Sequence, residues 1–420
     1  MTVKKYDNGL TVIIDTISGL RSVASGIMVS VGSGYETEEN NGISHFIEHM
    51  LFKGTKNRTA EEIVSAYDDA GAVYNAYTGK EYTCYYFKSI DEKAEECFEI
   101  LSDLYLHSLF EKAELDRERK VILEEIGMSK DEPDGVCSDL LSRTMYHGPL
   151  GMDILGTPEN VSRFDKTDIE KYMKQHYTPA NTVVAFAGNI TEDKAFAFVD
   201  KYLAELISAP KTARSQLAEH EFFSGYGEYI HDYEQSELSI AYPSVPFGDE
   251  RAAVVSALDA ILGGNMSSRL FQRIREKMGL CYSVYTTTRK GRNSGAFLIN
   301  ANVNAKNAAE CVKAIKEEVD LIVKNGVTEK EVERAKMQLK VGYLCGKENL
   351  MGHMRLLMNW RAIKDMDYDL DKTIAKIEAL TAETVTEYAR EVFSGRAAIA
   401  YVGKDPCAKL DEIYNSHTKE

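Results

Sequence analysis

Two kinds of hydrophobic pattern alternate along the chain. Short runs rich in β-branched and aromatic residues, such as Val23 to Val31 and Thr182 to Ala187, read as strands. Longer stretches whose apolar positions recur every three to four residues read as helices: Ala60 to Ala70, Glu92 to Ser108, Ala113 to Met128, Ala308 to Lys324 and Glu329 to Leu344. Tyr74 to Tyr77 and Thr83 to Phe87 are close enough in sequence to pair as neighbouring strands. Strands and helices mixed in this way predict an α+β fold, a mostly antiparallel sheet with helices on one face.

The pattern occurs twice. "GAVYNAYT" from Gly71 is echoed by "GLCYSVYT" from Gly279, "EECFEI" around Cys97 by "AECVKAI" around Cys311, and "ELDRERK" from Glu114 by "EVERAKM" from Glu331. The offsets, 208, 214 and 217, grow in chain order, as loop insertions in a duplicated domain would make them. A length of 420 residues fits two such domains. The expected organisation is a first half over residues 1–210, a weakly periodic linker over 211–226 and a homologous second half over 227–420.

One predicted helix carries unusual polar residues. In "GISHFIEHMLFKGT", His45, Glu48 and His49 fall on one arc of a helical wheel, and Ile43, Phe46, Ile47, Met50 and Leu51 on the other. Histidines four residues apart can direct both imidazoles at one metal ion. Glu48 lies between their ligand positions, which suits a base better than a third ligand. This is the H-x-x-E-H order, the mirror of the H-E-x-x-H zinc-peptidase motif. Aligning the halves on Gly54 and Gly263 sets Val254, Ala257 and Leu258 opposite the triplet, so the repeated scaffold does not itself require it. A third ligand is expected from "ELDRERKVILEEIGMSKDE", where Glu118 and Glu125 share a helix face and Glu124 points elsewhere; periodicity does not choose among them.

Charge and cysteine content narrow the class. Residues 1–210 hold 21 Lys/Arg against 36 Asp/Glu, and residues 211–420 hold 29 against 30. A surface with net charge −16 is a poor match for nucleic acid, whereas the acidic half could attract basic peptides. Seven cysteines without C-x-x-C spacing read as reduced thiols. No run approaches the roughly 18 apolar residues of a membrane span, and the opening residues lack a signal-peptide core, so a cytoplasmic location without membrane attachment is expected. The Met and Leu residues between Leu350 and Met358 read as helix core, and the histidines other than His45 and His49 as non-ligands.

Larger stretches carry a family resemblance: "VSVGSGYETEENNGISHFIEHMLFKGT", "NAYTGKEYTCYYF", "ILGTPENV", "YMKQHYTPANTVVAFAGN" and "SSRLFQRIREKMGLCYSVYT". Together, and over nearly the whole chain, these resemble the pitrilysin/insulysin-type metallopeptidases, most of all bacterial homologues of the mitochondrial processing peptidase β subunit. The resemblance implies two α/β-sandwich halves closing as a clamshell around peptides or unfolded segments. It implies one zinc ion per chain held by His45, His49 and Glu125, with Glu48 as general base and Glu118 behind the ligands. Arg275 and Tyr282 would contact substrate, although Tyr74, the repeat partner of Tyr282, has no such role. Asn75, Ala76 and Thr78 would belong to an edge strand onto which an extended peptide adds. Members of the family often work in pairs, which implies a homodimer or a heterodimer with a homologous subunit. The alternative function is a non-catalytic peptide-binding or assembly subunit, which would be expected to lose part of H-x-x-E-H.

Overall fold

The predicted strands assemble into two sheets, one in each of two units of the computed structural model, which describes residues 1–406 and 410–415. The first sheet contains β1 (Thr2–Lys5), β2 (Thr11–Thr16), β3 (Ser22–Val29), β4 (Val73–Thr78), β5 (Thr83–Ile90) and β6 (Thr182–Gly188), in the order β1-β2-β6-β3-β5-β4. Only β2 and β6 pair in parallel. The second sheet contains β7 (Tyr226–Ile230), β8 (Ser236–Pro243), β9 (Cys281–Lys290), β10 (Gly295–Val303) and β11 (Ala398–Gly403), in the order β7-β11-β8-β10-β9, with β7 and β11 parallel.

The internal repeat survives in three dimensions. β4 and β9, the two segments first matched by sequence, are both edge strands. Each is approached through a glycine in left-handed conformation, Gly71 at φ +61° and Gly279 at φ +62°. Among the described residues nothing crowds either site, so the backbone angle rather than space calls for glycine there.

Two expectations are corrected. Helices cover both faces of each sheet, not one. Along β6, Val184 and Phe186 enter one apolar cluster while Val183, Ala185 and Ala187 enter another, so neither face can be left to water. The compact units also differ from the sequence halves. The first comprises Met1–Gly127, Met152–Ala218 and Cys345–Tyr368; the second comprises Met128–Gly151, Glu219–Leu344 and the chain from Asp369.

The two out-of-place segments are the helices that cover the additional faces. Helix Leu350–Lys364 buries Leu350, Met354, Leu357 and Met358 against the first sheet. Helix Pro133–Met145 buries Cys137, Leu141 and Met145 against Ala241, Ala296, Ala398 and Ala400 of the second. Small side chains on that sheet face admit a helix closely, and local periodicity does not reveal which sheet a helix will cover. Of the Met and Leu residues expected to be helix core, Leu350, Met354, Leu357 and Met358 are buried, and Met351 and Leu356 are half-buried. Among the described residues no helix is long and apolar enough to cross a membrane.

Helix 350–364 is also held by a buried polar pair. His353 Nε2 lies 2.6 Å from Asp15 Oδ2 on β2, with Lys347 Nζ 3.6 Å from the same oxygen. The His353 hydrogen bond, reinforced by Lys347 and only partly opposed by burial, holds the Asp15 carboxyl down at about 2. A carboxyl depressed in the folded state stabilises the fold fully above its ordinary pKa and loses that contribution as pH falls through the depressed value. Asp15→Asn is therefore expected to cost about 2 kcal/mol at neutral pH. Urea midpoints of parent and variant should converge between pH 4 and pH 2; a gap unchanged across that window would show that the pair contributes no pH-dependent stability.

Candidate metal centre

Helix Ile43–Leu51 has only nine residues, too few to be stable alone, so its surroundings must hold it. Ile43, Phe46, Ile47, Met50 and Leu51 are buried in the first unit's main core, which leaves His45, Glu48 and His49 together on the half-exposed face. The N-terminus is capped from outside. Gly42 has no side chain, and buried Glu36 supplies the acceptor: Oε2 takes the Gly42 N–H at 2.7 Å and the Asn41 amide at 3.0 Å, while Oε1 takes the Ser44 N–H at 2.9 Å. Burial raises the Glu36 pKa, and the Gly42 and Ser44 amides hold part of that rise back. Gly42 sits at φ +98°, where an added Cβ would meet Gly156 Cα at 2.8 Å. Backbone contact thus fixes where the helix begins.

The third carboxylate comes from helix Lys112–Ser129. Glu125, not Glu124, joins the histidines: its Oε2 lies 3.4 Å from His49 Nε2 and 3.9 Å from His45 Nε2, while Glu124 is exposed. His45, His49 and Glu125 each offer one ligand atom, all within 4.8 Å of one another, and form the only such group among the described residues. These spacings are longer than good hydrogen bonds; a tetrahedron with bonds of ~2.1 Å has edges of about 3.4 Å, which the Glu125–His49 spacing equals and the 3.9 Å Glu125–His45 spacing exceeds. Two imidazole nitrogens and a carboxylate oxygen also form a donor set that zinc accepts, with a fourth position left open. The residues present fit a zinc ion.

Contacts behind the ligands are unequal. His49 Nδ1 is 2.8 Å from Glu118 Oε1, and the other oxygen of Glu118 is 2.7 Å from Lys53 Nζ. A ring nitrogen bonded to a carboxylate fixes the tautomer that presents Nε2 to a metal. Burial works against a charged His49, yet Glu118, Glu125 and Glu48 outweigh it and raise its pKa. Burial likewise works against the Glu118 carboxylate, and His49 and Lys53 prevail in lowering its pKa. His45 lacks this support: its Nδ1 is buried with no hydrogen-bond partner among the described residues, and burial, then the nearby His49, bring its pKa down to about 3. It is thus the neutral imidazole that a metal needs. The sequence reading passed over Lys53 and Glu36. Spacing offered a hint for Lys53, which continues the four-residue interval of His45 and His49.

Glu48 points at the edge strand. Thr78, the last residue of β4, donates its hydroxyl to Glu48 Oε2 at 2.6 Å. Burial raises the Glu48 pKa, and Thr78 partly opposes that rise. Along the same strand Asn75 is exposed, and its Oδ1 accepts the Ala76 N–H at 2.8 Å. A neighbouring strand would use that amide, and a side chain occupies it instead.

Arg275 and Tyr282 come together in the second unit. Arg275 lies on a π-helical stretch, Phe271–Lys277, with its guanidinium 4.7 Å from the Phe271 ring centre and 5.8 Å from that of Tyr282. The β9–β10 register passes from Ser283 opposite Asn302 to Cys281 opposite Val303, so Tyr282 is the extra residue of a bulge. Bulges re-aim side chains, and this one is 78% exposed. Of the other histidines, His107 pairs with Asp103 and Glu205, His176 with Ser215 and His353 with Asp15. His417 and Cys407 lie outside the described residues.

A duplicated α+β chain with a potential mononuclear site on an H-x-x-E-H helix defines a narrow class of proteins. Residues 11–158 match the family model described as "Insulinase (Peptidase family M16)", and residues 163–339 match "Peptidase M16 inactive domain". An uncharacterized zinc protease of Bacillus subtilis is 36% identical over 403 residues, covering 95% of this chain and 98% of that one. Another, of Streptomyces coelicolor, is 34% identical over 406 residues, covering 94% and 88%. The chain belongs to the pitrilysin-type peptidase family M16. The crystal structure of a protease from Helicobacter pylori shares the fold, with TM-score 0.89 at 20% identity over 96% of this chain and 99% of that one.

Glu118→Gln keeps the shape of the side chain but removes its charge. It is expected to weaken zinc binding by about 10- to 100-fold without loss of helical signal in circular dichroism. Equal zinc affinities in a chelator competition would make Glu118 a bystander.

Proposed function

We propose that this chain is a zinc-dependent metalloendopeptidase that cleaves peptides or unfolded segments, with a preference for basic ones. The observation that carries the proposal is the Glu48 carboxylate, half-buried on the same helix face as two imidazoles that can share a metal with Glu125. Names given to the relatives support the same reading.

His45, His49 and Glu125 would hold the ion. Zinc, when bound, supplies Lewis acidity, polarising an adjacent oxygen and lowering the pKa of water toward about 7. Glu48 takes a proton from the attacking water as its oxygen bonds to the peptide carbon, then delivers that proton to the departing nitrogen as the C–N bond breaks. Burial favours this role, because a carboxylate with raised proton affinity accepts a proton more readily near neutral pH. Glu118 and Lys53 keep His49 oriented. The free edge of β4 can pair with an extended peptide through backbone groups, with Ala76 released from Asn75. Arg275 and Tyr282 are donors able to stabilise a substrate carbonyl as negative charge develops on it.

Glu48→Gln is expected to retain one zinc per chain and to cleave a peptide library at least about 100-fold more slowly than the parent. Undiminished turnover would remove Glu48 from the mechanism, and a parent with neither zinc nor cleavage would sink the proposal.

Charge selectivity follows from the acidic residues 1–210, with 21 Lys/Arg against 36 Asp/Glu. KM for a lysine-rich peptide should rise as salt shortens the screening length from about 10 Å at 0.1 M to about 3 Å at 1 M, while KM for a neutral peptide changes little. Matching salt responses for the two would refute the preference.

A further inference from the structure

The family resemblance places Thr78 among residues that contact substrate, but the structure directs its side chain elsewhere. Side chains alternate along β4: Tyr74 and Ala76 pack with the core that buries helix 43–51, and Tyr77 packs on the opposite face. Thr78 follows the parity of Tyr74 and Ala76, and its hydroxyl reaches Glu48. A threonine hydroxyl has a single hydrogen to donate, and here it is given to the carboxylate. At 2.6 Å this is a short, charge-assisted bond. Among the described residues no other side chain is hydrogen-bonded to Glu48; the Thr78 backbone N–H adds a second contact from the same residue, so Thr78 alone holds the end of a side chain with three rotatable bonds.

We infer that Thr78 is a positioning residue for Glu48: its hydroxyl anchors Oε2 so that Oε1 is presented for proton transfer. The role rests on the metallopeptidase reading above. It ties the base to the strand expected to receive substrate. A peptide paired with β4 runs toward the residue that holds Glu48, so its register along the strand also sets its position relative to the base. Asn75 and Ala76 remain the strand's docking residues, while the Thr78 side chain serves the chemistry rather than peptide affinity.

The test uses the full-length chain with Thr78→Val, which keeps the branched shape but loses the hydroxyl, and Thr78→Ser, which keeps the hydroxyl. Zinc content, steady-state cleavage of a quenched fluorescent peptide, and binding of that peptide in a Glu48→Gln background are measured for each. Misplacing a catalytic group by about 1 Å can cost about 100-fold, so kcat of Thr78→Val should fall by about 10- to 100-fold. KM, zinc content and peptide affinity in the Glu48→Gln background should stay within about threefold of their references, and Thr78→Ser should recover most of kcat. Crystal structures of the zinc-loaded proteins should show Glu48 in one rotamer in the parent and in Thr78→Ser, and displaced in Thr78→Val. Unchanged kcat in Thr78→Val, or raised KM and weakened peptide binding at unchanged kcat, would overturn the inference while leaving the metallopeptidase reading intact. Absence of cleavage by the parent itself would overturn both.

Discussion

Everything at the candidate site depends on how a nine-residue helix is seated. Its apolar stripe is driven into the core of the first unit, and because side chains on a helix are set by its rotation, burying Phe46, Ile47 and Met50 aims His45, Glu48 and His49 outward together. Rotation alone does not fix position along the axis. That is set by Glu36, which takes two backbone N–H groups of the first turn, and by the close approach of Gly42 to Gly156. Hydrophobic burial orients the helix, and a buried carboxylate and two glycines locate it.

Four carboxylates then serve this helix in graded roles, one at its N-terminus and three on its polar face, and the grading follows from what each one touches. Glu36 is spent on backbone amides, Glu118 on His49 and Lys53, Glu48 on Thr78, and Glu125 reaches both imidazoles. Glu48, Glu118 and Glu125 all lie close enough to His49 to favour its charged form, and Glu125 raises the proton affinity of Glu48, so three acids share this face. Lys53 and the Thr78 donors offset part of their charge, and a divalent cation at the cluster would offset the rest. The arrangement also separates a neutral His45 from a His49 whose carboxylate neighbours favour its charged form, so the two ligands depend differently on their surroundings.

Among the described residues only one of the two duplicated units carries this apparatus. β4 and β9 keep the same glycine approach and the same edge position in their sheets. The helix position in the second unit is filled by Val254, Ala257 and Leu258. What the second unit adds is different: a bulged, exposed Tyr282 with a guanidinium beside it.

The sequence by itself determined the α+β class, the duplication, the major helices to within a residue or two, and the polar face of H-x-x-E-H. These depend on periodicity and local spacing, which are properties of adjacent residues. It narrowed the third carboxylate to one helix but could not choose Glu125 from periodicity, because that choice depends on where helix 112–129 lies against helix 43–51. It missed Glu36 and Lys53 and did not reveal the contact between Thr78 and Glu48, since those partnerships cross between elements. It also placed helices on one face and divided the chain into consecutive halves, whereas helices 133–145 and 350–364 each cover the sheet of the other half. Amphipathic spacing shows that a helix has a face to bury; which apolar surface receives it is decided only by tertiary packing, where chain distance carries no energy of its own.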